Sequence, residues 1–76
     1  MPSIKPVSYK TLCKIFEKED WKFSHQTGDH LIYKKSGAIR PLVIPMYREI
    51  PTFVILNNLR TAGIPRDKYF ELLEKV

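Results

Sequence analysis

The stretch "WKFSHQTGDHLIYKK", residues 21–35, decides the fold. Its first six residues alternate, with Trp21, Phe23 and His25 set against Lys22, Ser24 and Gln26. A period of two marks a strand and puts Trp21 and Phe23 on the side of a core. His25 shares that face at the fading end of the strand and reads as structural, half-buried there. "TGD" at 27–29 supplies a turn, with Gly28 free to take the positive φ that tight hairpin turns need. "HLIYKK" then returns as a second strand. If Leu31 and Tyr33 face the core, His30, Ile32 and Lys34 share the opposite face.

The flanks extend this hairpin. "SGA" at 36–38 is a second turn, and "LVIP" at 42–45 a short third strand. Pro41 at its start cannot donate to a ladder, which places that strand at a sheet edge. Upstream, Pro2 and Pro6 keep residues 1–7 extended. Ser8 is a helix N-cap. Tyr9, Leu12, Cys13 and Phe16 follow as one apolar helical stripe, while Lys10, Lys14, Glu17 and Lys18 fall off it toward water. Downstream, "PMYREIP" at 45–51 is a loop and Thr52 an N-cap. Ile55, Leu59 and Ala62, with Leu56 beside them, form the next helix, closed by Gly63 at the C′ position. Pro65 opens a short last helix carrying Tyr69, Phe70, Leu72, Leu73 and Val76. Asp67 in its first turn and Lys75 in its last suit the helix dipole.

The order is therefore α-β-β-β-α plus a short C-terminal helix, an α+β unit spanning residues 1–76. A sheet of three strands must bury one face, and helices packed on one face do so. The other face stays open. A three-stranded antiparallel meander backed by helices, with an open basic face, is the shape of a double-stranded-RNA-binding domain.

Composition agrees with a folded, polyanion-seeking chain. Of 76 residues, 43% are hydrophobic and 12% aromatic, enough for a core near the lower size limit of unaided folding. The net charge is +5, which leans toward nucleic acid or an acidic protein without separating them. "FVIL" at 53–56 is far too short to cross a bilayer, and "MPSIKPVS" lacks the apolar core of a signal peptide. Cys13, the single cysteine, sits on the apolar stripe as a small buried hydrophobe. A cytoplasmic protein without disulfides or membrane contact is the expectation. Two histidines and that cysteine lack metal-ligand spacing, and no phosphate loop, Ser-His-Asp set or CxxC is present, so neither metal nor cofactor is expected.

His30 is the residue with chemistry to offer. An imidazole on the open face beside a turn can take or give a proton near neutrality. Metal-independent RNA cleavage needs a base for the ribose 2′-OH, an acid for the leaving 5′-oxygen and cations for the charged phosphorane. His30 fits the base, and Lys34, Lys35 and Arg40 the cations. Tyr47 is the nearest acid. A lone histidine beside a turn is more often plain surface, and Asp29 reads as a turn residue, because adjacent strand residues point to opposite faces. His25 as a catalytic partner across the hairpin is the lesser reading. Lys34, Lys35, Arg40 and Arg48 on the sheet and its loop read as phosphate contacts or as solvated surface. Three functions stay open on these grounds: an RNA-cleaving enzyme, an RNA-binding module without catalysis, and a protein-interaction domain.

The motifs "VSYKTLCKIFEKEDWKF", "QTGDHLIYKK", "VIPMYREI" and "LNNLRTAGIPRDKYFELL", in this order over residues 7–73, resemble the HicA (YcfA-like) toxin family. The glycine-x-histidine at Gly28, Asp29 and His30 is short. Joined to "VIP" after a hairpin and "LRTAGI" closing a helix, it is specific. The resemblance implies a small mRNA interferase of a type II toxin–antitoxin pair. It implies a double-stranded-RNA-binding-like fold and an essential histidine at His30. It further implies RNA endonuclease cleavage without a metal, and neutralisation by a HicB antitoxin that covers the histidine. This chain departs from the family pattern at Asp29, where serine is usual, at Tyr47, where a histidine is usual, and in "FVILNNL" at 53–59, where Asn58 replaces an apolar residue.

Overall fold

The computed structural model describes residues 3–76, so Pro2 lies outside the described residues. The elements run α1 (Tyr9–Glu17), β1 (Lys22–Thr27), β2 (His30–Lys34), β3 (Leu42–Pro45), α2 (Thr52–Ala62) and α3 (Arg66–Glu74). The sheet is antiparallel in the order β1-β2-β3, which puts β3 at an edge as Pro41 implied. This is the α+β arrangement expected from the sequence. α1 and α2 pack on β3, and α3 packs on α1, so the helices cover one face of the sheet.

Each helix has an identifiable start and stop. The Ser8 hydroxyl accepts a hydrogen bond from the Lys10 N–H at 3.2 Å, capping α1. Leu12, Cys13 and Phe16 are buried as the stripe predicts, and Ile15 joins them. α1 ends through a left-handed Asp20 at φ 69°, after which the Trp21 N–H returns to the Phe16 carbonyl at 3.1 Å. This closing turn, and not strand alternation, buries Trp21. Gly63 ends α2 at φ 70°, in the left-handed conformation that favours glycine. Pro65 precedes α3, and Tyr69 and Leu72 anchor that helix to the core.

Thr52 does not cap α2. Pro51 occupies the cap position, and Thr52 is the first helical residue. Its hydroxyl instead donates to the Ile4 carbonyl at 2.9 Å, tying the N-terminal segment to α2. Val7 and Ile50 pair as an isolated antiparallel bridge, and the Tyr9 N–H reaches the Tyr47 carbonyl at 3.0 Å. The segment from Tyr47 to Ile50 is thereby held against the start of α1. The Tyr9 and Ile50 N–H groups both find backbone partners here, which a loop with a buried Ile50 requires.

The strand reading fails in β1, for two physical reasons. β1 is the edge that the helices leave largely uncovered, and all six of its residues are exposed, including Phe23 at 54%. Phe23 lies opposite Tyr33 and meets its ring edge-on, with centroids 5.9 Å apart, at the margin of the core. The second reason is a bulge. The register steps from Phe23↔Tyr33 to His25↔Ile32, leaving Ser24 without a partner. One extra residue reverses the faces of everything after it. His25 and Thr27 therefore fall on the open face, opposite Ile32 and His30, and His25 is exposed rather than structural.

Candidate functional site

The hairpin turn builds the site. Gly28 alone in it has positive φ, at 59°, the pattern of a two-residue turn with glycine first. The Gln26 side-chain amide donates to the Gly28 carbonyl at 2.8 Å. The Met46 N–H donates to the Asp29 carbonyl at 2.8 Å, so the chain leaving β3 pins the turn from the other side. His30 follows at once, between Thr27 on β1 and Pro45 on β3. Its backbone is fixed on both flanks, while its side chain stays 42% exposed on the open face.

Asp29 contradicts the expectation that it serves the turn alone. Its Oδ1 lies 3.0 Å from Nδ1 of His30. Strand alternation does not apply to it, because Asp29 sits in the turn and its side chain is free to swing beside its neighbour's. A carboxylate at Nδ1 holds a proton there. It fixes the ring's orientation and leaves Nε2 as the nitrogen without a proton in the neutral ring.

The basic residues do not gather around His30. Lys34 lies four residues along β2, roughly 13 Å away at strand rise. Lys34, Lys35 and Arg40 line one groove of about 140 Å³ with Ala38, Ile39 and Pro41, at the opposite end of the sheet. Lys22 belongs with them and was missed by the sequence reading. It pairs directly with Lys34 across the strands, on the same open face. Like charges placed opposite each other in a sheet are unfavourable, and an anion over the pair relieves that. Arg48 is separate from this groove; it is exposed in the segment after β3, at the end of the sheet that carries His30. Tyr47 is 44% exposed beside it, two residues past Pro45.

The face behind the sheet carries no competing chemistry. The Tyr33 hydroxyl donates to Glu17 Oε2 at 2.7 Å. Burial, reinforced by hydrogen bonds to Cys13 and Glu17, pushes its phenol far above the usual range, so it stays protonated. Burial likewise pushes the Cys13 thiol up, which suppresses the thiolate a nucleophile would need. No helix among the described residues is long and apolar enough to cross a membrane.

A three-stranded sheet backed by helices, with an imidazole–carboxylate pair at one end of its open face and lysines at the other, defines a small α+β protein with a basic sheet face. The family model described as HicA toxin of bacterial toxin-antitoxin matches residues 9–64, and the chain belongs to the HicA toxin family. It is thus a toxin of the toxin–antitoxin kind, and the family implies an antitoxin partner. No curated protein and no solved structure matched the chain.

Proposed function

We propose that this toxin is an endoribonuclease that cleaves mRNA without a metal, with His30 as its catalytic base. The observation that supports this reading is the 3.0 Å contact between Asp29 and His30 on an otherwise open sheet face. Nε2 of His30 takes the proton of a ribose 2′-OH as that oxygen attacks the adjacent phosphorus, and Asp29 stabilises the imidazolium that results. Lys34, Lys35, Arg40 and Arg48 contact phosphates of the bound strand, which gives affinity without sequence readout. A HicB-like antitoxin silences the toxin by covering this face.

The chemistry has a definite product. Attack by the 2′-oxygen leaves a 2′,3′-cyclic phosphate and a 5′-hydroxyl end. Purified protein incubated with RNA in excess EDTA should yield fragments with those ends. Intact RNA, or fragments formed solely after a divalent cation is restored, would overturn the proposal.

RNA binding should also weaken steeply with salt, because each neutralised phosphate releases counterions. Lys34→Ala and Lys35→Ala should each reduce the slope of log affinity against log salt by about one. Binding that does not respond to salt would remove the phosphate contacts from the account.

A further inference from the structure

The bulge at Ser24 places two imidazoles on one face, and its consequence reaches the reaction. His25 lies opposite Ile32, and His30 stands two residues from Ile32 on the same strand and face. The two histidines are therefore diagonal neighbours across the hairpin, with backbone positions roughly 7–8 Å apart. Without the bulge, His25 would fall on the opposite face of the sheet. Each ring is held by its Nδ1. Nδ1 of His30 is 3.0 Å from Asp29 Oδ1, and Nδ1 of His25 is 3.0 Å from Ser24 Oγ. In both rings the remaining nitrogen is Nε2.

We infer that His25 is the general acid of the cleavage reaction, paired with His30 as base; the inference rests on the endoribonuclease reading. The partners of the two rings assign the roles. Asp29 is a carboxylate and favours the ring that gains a proton, which is His30. Ser24 is a neutral hydroxyl, which can accept from Nδ1–H while His25 gives up its Nε2 proton. Two hydrogen bonds of about 3 Å, one on each side of a phosphorus, suit imidazoles at this separation. An imidazole also serves as an acid near neutral pH better than the Tyr47 phenol.

The step balances within the pair. The 2′-O–H proton passes to Nε2 of His30 as the bond from O2′ to phosphorus forms. The bond from phosphorus to O5′ breaks, and the electron pair left on O5′ takes the Nε2 proton of His25. The products are the cyclic phosphate and a 5′-hydroxyl, no water is consumed, and solvent exchange resets both rings. Among the described residues, the titratable or charged groups around the pair are Asp29 beside His30, Tyr47 and Arg48 in the segment after β3 at the same end of the sheet, and the Lys22–Lys34 pair farther along the strands; Thr27 and Ile32 are neutral.

The test separates an acid from a merely structural histidine. The full-length protein and its His25→Ala and His30→Ala variants are given two oligoribonucleotides. One carries the natural linkage at the mapped cut. The other carries a bridging 5′-sulfur there, whose thiolate leaves without a proton. His25→Ala should lose about 10²–10⁴-fold on the natural linkage and come within roughly tenfold of wild type on the sulfur linkage. His30→Ala should be impaired on both. The alkaline limb of the pH–rate profile on natural RNA should disappear in His25→Ala. Wild-type cleavage of natural RNA by His25→Ala, or an equal deficit on both linkages, overturns the acid role while leaving the nuclease intact. Failure of the wild type on both linkages overturns the nuclease reading itself.

Discussion

His30→Ala should slow RNA cleavage by about 10²–10⁴-fold and abolish growth arrest on induction, with RNA affinity left nearly unchanged. The imidazole provides the proton acceptor that the 2′-OH needs, and its removal leaves Asp29 with no ring to orient. The fold should not notice. The side chain is 42% exposed and packs in no core, and surface substitutions of that kind stay within about 0.5 kcal/mol. Affinity survives because Lys22, Lys34, Lys35 and Arg40 lie toward the far end of the sheet. The measurements are single-turnover cleavage and filter binding on one preparation of each protein, with RNA integrity followed in induced cells. A variant that cleaves at the wild-type rate ends the catalytic role of His30. A wild type that binds RNA and never cuts it would instead make the chain a binding module of the same shape.

Most of the fold was legible in the sequence because each boundary had a local cause. Ser8 caps α1, Gly28 and Gly63 take positive φ, and Pro65 precedes α3. Local chemistry of this kind survives whatever the rest of the chain does. Apart from the cap at Thr52 and the side chain of Asp29, the differences lie where a residue's surroundings depend on something distant in sequence. Phe23 has the alternation of a core residue, yet whether a strand face is covered depends on where helices land, and they land on β3. Ser24 gives no sequence signal of a bulge, because a bulge is a property of the pairing with β2. The bulge sets the face of His25, and the uncovered edge its exposure. The placement of His30 at the start of β2, directly after the turn, was legible from the glycine turn before it. Asp29 was set aside by applying strand alternation to a residue that is not in a strand. How far Lys34, Lys35, Arg40 and Arg48 lie from His30, and that Lys22 stands opposite Lys34, follows from the strand register and not from any local sequence signal.

Phe16→Ala should unfold much of the population, whereas Phe23→Ala should shift the melting curve far less, although sequence periodicity gives the two rings equal standing in the core. Phe16 is fully buried between α1 and its neighbours, and large-to-small changes at such sites cost about 3–5 kcal/mol through lost transfer energy and the cavity left behind. A chain of 76 residues has a total stability of only about 4–11 kcal/mol. At about 4–8 °C per kcal/mol for a domain of this size, the melting temperature should fall by at least roughly 12 °C. Phe23 is 54% exposed, and its main specific contact is the edge-on meeting with Tyr33. Aromatic pairs of that geometry contribute about 0.5–1.5 kcal/mol, so Phe23→Ala should lower the melting temperature by about 2–12 °C, less than Phe16→Ala does. Toxicity should follow the same split, because Phe16→Ala removes the sheet that presents His30 and Asp29 while leaving both residues in the chain. Thermal melts by circular dichroism, run beside induction assays, decide the matter. Equal destabilisation by the two substitutions would mean that helices cover β1 after all.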